Sequence, residues 1–145
     1  MAAAVSLTAA DRLAVLDVVT RADEAASRRD ADAYVALFTP DAVLDGTQGR
    51  HAGREALRAS VTPIWAAEGP ATLHLTLNPV VEEAGGEAVV RSVMLIVALT
   101  SPITVRTAAA ITQTLRREAG QWRIARRTVS DPAAPGPVPA PGQPA

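Results

Sequence analysis

The sequence predicts an α+β fold in which a curved antiparallel sheet wraps around three N-terminal helices. Three observations carry this expectation. Up to about residue 68 the chain holds three segments with apolar residues at helical spacing. From residue 72 it changes to long alternating or β-branched segments separated by short Gly- or Pro-containing turns. The apolar residues of both halves can be buried together only if the sheet curls over the helices.

The elements follow in order. Thr8 is an N-cap with Asp11 in the first turn, and Leu13, Leu16 and Val19 repeat at helical spacing, so a helix is predicted from about 8 to 28. Asp30 caps a short second helix carrying Tyr34, Leu37 and Phe38, which Pro40 forbids to continue. Ala42 to Asp45 reads as a short strand and Gly46-Thr47-Gln48-Gly49 as a turn. Gly53 opens a third helix with Leu57, Val61, Ile64 and Trp65 on one side, and Pro63 is expected to kink or end it near Thr62. Glu68-Gly69-Pro70 reads as a loop. Strands are then predicted over 72–81, 87–99, 103–117 and 121–130. Residues 131–145 contain six prolines, a composition that packs no core, so a domain over 1–130 and a disordered tail over 131–145 are expected.

Composition excludes several functions. The chain has 145 residues and a net charge of −1, so its overall field makes no case for nucleic acid or an anionic membrane. All 14 basic residues are Arg. The cluster Arg123, Arg126 and Arg127 lies on an alternating strand that splits it between faces, without stacking aromatics beside it. No cysteine is present, which removes disulfides, thiolate metal sites and a cysteine nucleophile. The two histidines lack the carboxylate spacing of a metal site, and no cofactor fingerprint occurs, so neither metal nor cofactor is expected. No signal peptide or membrane-length apolar run is evident, which makes a cytoplasmic location the expectation.

Three segments resemble one superfamily. Asp30 through Asp45, Leu73-His74-Leu75-Thr76-Leu77-Asn78-Pro79, and the closing Arg117-Glu118-Ala119-Gly120-Gln121-Trp122 follow in the order found in SnoaL-like and other nuclear transport factor-2-like proteins. That group includes polyketide cyclases, scytalone dehydratase and ketosteroid isomerase. The resemblance implies a cone with one internal pocket, a hydrophobic, polyketide-like small molecule as ligand, and a homodimer. It implies a cofactor-free lyase, isomerase or cyclase working by acid–base chemistry. The alternatives are a non-catalytic module binding an apolar ligand and a pure dimerisation domain. The tyrosine and late-strand acid of ketosteroid isomerase correspond to Ala22 and roughly to Thr112, so that enzyme's oxyanion donors are missing.

Six residues are candidates for the site. His74 can exchange a proton near neutral pH. It shares a strand face with Thr72, Thr76 and Asn78, a face that suits solvent as well as a pocket. The resemblance places it in the pocket. Asp45 ends the first strand, roughly where the resemblance to ketosteroid isomerase implies a general base, or is a turn residue before Gly46. Asp23 interrupts a helix interior, or pairs with a surface arginine such as Arg12, Arg21 or Arg28. Trp65 walls the pocket or packs the core. Asn78 would position substrate. Arg91, among apolar strand residues, would meet Asp23, Glu87 or a ligand carboxylate, or lie at a wet sheet end.

Overall fold

A computed structural model describes residues 6–132. The elements are α1 (Ala9–Ser27), α2 (Ala31–Ala36), β1 (Phe38–Gly46), β2 (Gly49–Ala52), α3 (Arg54–Glu68), β3 (Thr72–Ala84), β4 (Glu87–Ala98), β5 (Thr104–Glu118) and β6 (Gln121–Ser130). The expected tail beyond residue 132 lies outside the described residues.

Helix starts are set by side-chain caps. Thr8 Oγ1 accepts from the Asp11 amide at 3.0 Å and the Asp11 carboxylate accepts from the Thr8 amide at 2.9 Å, a capping box. Asp30 caps α2 by accepting from the Ala33 amide at 3.0 Å. The second helix ends before Phe38, which begins β1 instead of closing α2. α3 runs through Pro63 to Glu68, not stopping near Thr62. The missing amide of Pro63 costs about 3 kcal/mol. Burial of Leu57, Val61 and Trp65 on the same helix outweighs it, at roughly 1.5–3 kcal/mol for each large apolar side chain.

The six strands form one sheet in the order β2-β1-β6-β5-β4-β3. The sheet is mixed, because β1 runs parallel to β6 while every other pair is antiparallel. β2, which the sequence did not predict, follows the turn at Gly46 and pairs with β1 through Leu44–His51 and its neighbours. The filled core lies between helices and sheet: Val15, Val19, Phe38, Leu57, Leu115 and Ile124 are all essentially inaccessible. No helix among the described residues is long and apolar enough to cross a membrane.

Two bulges decide which side chains look inward. In β3 the pairing jumps from Leu77–Val93 to Val80–Arg91, one extra residue on β3. Asn78 takes φ 51° there and Pro79 has no amide to donate, so both suit a bulge. Before it Thr72 and His74 are buried while Leu75 and Leu77 are exposed. In β6 the pairing jumps from Leu115–Ile124 to Thr114–Arg126, so Ala125 is the extra residue. Trp122 and Ile124 point inward before that bulge, and Arg127 is the buried residue after it.

Candidate functional site

A cavity of about 260 Å³ opens between α3, the β1–β2 hairpin and the concave sheet. That is slightly below the usual range for drug-sized ligands, so it suits a small molecule. Its apolar wall comes from Leu44, Val61, Ile64, Met94, Ile96 and Val129. His51 and residues 46–49 line its hairpin side. Its polar wall is formed by His74, Glu68, Tyr34 and Arg127.

His74 is held from both backbone and ring. Its amide donates to Ser27 Oγ at 2.9 Å, tying β3 to the last residue of α1. Its Nε2 lies 2.7 Å from Glu68 Oε2, and the two side chains are only 6% and 13% exposed. Arg29 fixes the chain on either side of this pair, donating to the carbonyls of Ser27 and Thr72 at 2.6 and 3.2 Å and also to Gly69. With Glu68 ionised, Nε2–H is the donor, and in the neutral ring the lone pair is then on Nδ1. No hydrogen bond engages Nδ1 among the described residues.

Aromatic rings complete this end. Trp65 stands edge-on to His74 with centroids 6.4 Å apart and edge-on to Tyr34 at 5.1 Å. Burial raises the pKa of the Tyr34 phenol; the positive charge of Arg127 opposes this and the negative charge of Asp23 adds to it. Tyr34 is therefore a neutral hydroxyl in the cavity wall at neutral pH.

A second buried polar group adjoins the cavity. Arg127 and Asp23 have side chains 6% and 7% exposed and approach to 3.8 Å. Arg127 also donates to Gln113 Oε1 at 3.3 Å and toward Met94 Sδ at 3.4 Å. The other oxygen of Asp23 accepts from the Thr76 hydroxyl.

Residues 7–128 match the SnoaL-like domain family, which is most of the chain. The protein belongs to the SnoaL-like domain family. Among solved structures, it is similar to a protein of unknown function with a cystatin-like fold from Nostoc punctiforme, at 24% identity over 90% of this chain and 98% of that one, with a TM-score of 0.81. It is similar to an NTF2-like protein with a cystatin-like fold from Novosphingobium aromaticivorans, at 23% identity over 83% and 81%, TM-score 0.73. A protein from the same organism named as a candidate scytalone dehydratase matches at 20% identity over 83% of each chain, TM-score 0.71. No curated protein matches the sequence. At such identities the structural likeness shows the fold.

The SnoaL-like domain divides the six sequence candidates into two groups. His74 and Trp65 line the cavity, and Asp23 lies behind it against Arg127. Asp45 faces away: its neighbours Leu44 and Gly46 line the cavity, and its own carboxylate pairs with Arg126 on the other side of the sheet. Asn78 is exposed in the β3 bulge, and Arg91 pairs with Glu82 on the exposed face. Neither lines the cavity.

Three cavity residues escaped the sequence reading. Glu68 was read as loop, although it continues the buried stripe of Val61 and Trp65 at i, i+4, i+7. Tyr34 was legible only as an apolar-side residue of the short second helix. Arg127 could not be placed, because strict alternation from Ile124 would have sent Arg126 inward.

Proposed function

We propose that this SnoaL-like domain is a cofactor-free lyase or isomerase that moves a proton on a small hydrophobic molecule, with His74 as the base. The observation that supports the reading is the buried His74–Glu68 pair at 2.7 Å in the wall of an apolar cavity. A carboxylate that accepts from one imidazole nitrogen fixes the tautomer and stabilises the imidazolium formed when the other nitrogen takes a proton. Nδ1 is that other nitrogen here. Trp65 and the aliphatic wall would hold the ligand and keep bulk water away. Glu68 is a positioning residue in this scheme, since it acts through His74.

The test is turnover of a ligand found by screening apolar carbonyl compounds. His74→Gln lowers kcat by roughly 10²–10⁴-fold. Glu68→Gln keeps a hydrogen bond, since the amide oxygen can accept from Nε2–H, but it removes the negative charge that stabilises the imidazolium. It therefore lowers kcat and displaces the base limb of the pH profile while leaving KM nearly unchanged. Wild-type rates in His74→Gln would end the role of His74 as the base.

A further inference from the structure

The wall of the cavity contains a positive charge whose compensation is incomplete. Arg127 has five N–H donors and a side chain only 6% exposed. Its neighbours are weak acceptors for a guanidinium: an amide oxygen at 3.3 Å, a thioether sulfur at 3.4 Å and a carboxylate at 3.8 Å, past hydrogen-bonding distance. The carboxylate, Asp23, is itself shared with Thr76. A buried cation is normally paired by close, well-formed charged hydrogen bonds. Arg127 also lines the same cavity as His74.

We infer that the cavity takes an apolar ring compound bearing an enolisable or phenolic oxygen, and that Arg127 binds this oxygen and stabilises it as an anion. The inference rests on the acid–base reading of His74 and supplies its missing half. A carbon acid gives up its proton only if the electron pair has somewhere to go. With a carbonyl oxygen at Arg127, the C–H bond next to the carbonyl breaks and the proton goes to His74 Nδ1. The electron pair moves through the new C=C bond onto oxygen, where the guanidinium faces it. Return of the same proton to another carbon completes an isomerisation. Loss of a β-hydroxyl with that proton, as water, completes a dehydration. No oxidant or metal enters either balance. Arg127 thus stands in for the oxyanion donors that the sequence lacks at Ala22 and Thr112.

The probe is 4-nitrophenol, whose phenolate is coloured and whose ionisation can be read in the bound state. Bound to the wild-type protein, it ionises about one to two pH units below the free phenol, as a charged hydrogen bond to the anion requires. Arg127→Met reverses the shift, because an apolar cavity disfavours the phenolate. Asp23→Asn combined with Arg127→Met leaves no lone buried carboxylate and gives the same reversal in a folded protein. Arg127→Lys keeps a shift of the same sign. His74→Gln also keeps it. Wild-type protein that binds only the neutral phenol overturns the role of Arg127 and leaves the His74 reading standing. A shift that survives Arg127→Met but disappears in His74→Gln overturns the role as well, by assigning the charge to the imidazolium. Wild-type protein that binds neither the neutral phenol nor the phenolate overturns both readings.

Discussion

The two ends of the space between helices and sheet are built on opposite plans. At one end Val15, Val19, Phe38, Leu57, Leu115 and Ile124 fill it completely, and those residues come from α1, β1, α3, β5 and β6. At the other end the same sheet leaves about 260 Å³ open and turns His74, Glu68, Tyr34 and Arg127 toward it. The filled end secures the sheet's curvature with dispersion and apolar burial, which need no exact partners. The open end holds groups that are expensive to bury and have found only part of their compensation. The contrast teaches where stability and function reside: strands β5 and β6 contribute to both, changing role along their length.

The comparison can be broken first by removing bulk. Phe38→Ala takes out a fully buried ring and costs about 3–5 kcal/mol in urea unfolding. Ile96→Ala enlarges a cavity that is already open, so it costs clearly less while weakening ligand binding. Equal losses at the two sites would mean that the cavity collapses onto its wall in solution.

A smaller effect appears with pH. The Tyr34 phenol has its pKa raised by burial in the folded chain. Ionisation is therefore easier in the unfolded chain, and the contribution to stability is complete below the ordinary tyrosine value of about 10. It is lost as pH rises from there through the folded value. Tyr34→Phe should flatten the alkaline decline in stability above about pH 10, followed by circular dichroism. An unchanged decline would place the phenol in contact with solvent.

The smallest expected effect sharpens the boundary of the site. Asn78→Ala costs roughly 1 kcal/mol, because alanine tolerates φ 51° poorly, whereas Asn78→Gly is close to neutral. Both variants should bind cavity ligands as tightly as wild type, since Asn78 is exposed outside the cavity. Weakened binding in both would bring Asn78 back into the site.

Much of the fold could be read from the sequence because local signals agreed with one another. Thr8 and Asp30 cap the helices they were expected to cap. The change from helical to alternating periodicity at residue 72 marks the start of β3, and β6 runs over 121–130 as its pattern implied. The parallel pairing of β1 with β6 was not legible, because it joins strands at opposite ends of the chain and leaves no local pattern. The site was legible only where periodicity stayed intact. His74 precedes the β3 bulge, so its polar face could be followed, and the exposed leucines opposite show that this face looks inward. Asn78 and Arg127 sit at or beyond one-residue bulges, each of which exchanges the two faces of its strand. Asp45 read as a site residue from its place at a strand end, but the parity of β1 sends Leu44 and Gly46 to the cavity and Asp45 to Arg126.

The account depends most on the protonation of one ring. ¹⁵N chemical shifts of the His74 imidazole, recorded at neutral pH with and without 4-nitrophenol, report directly which nitrogen carries the proton. The account predicts a neutral ring protonated at Nε2 toward Glu68, with the Nδ1 resonance moving when ligand binds. A ring protonated at Nδ1, or an Nδ1 resonance indifferent to bound ligand, would contradict it.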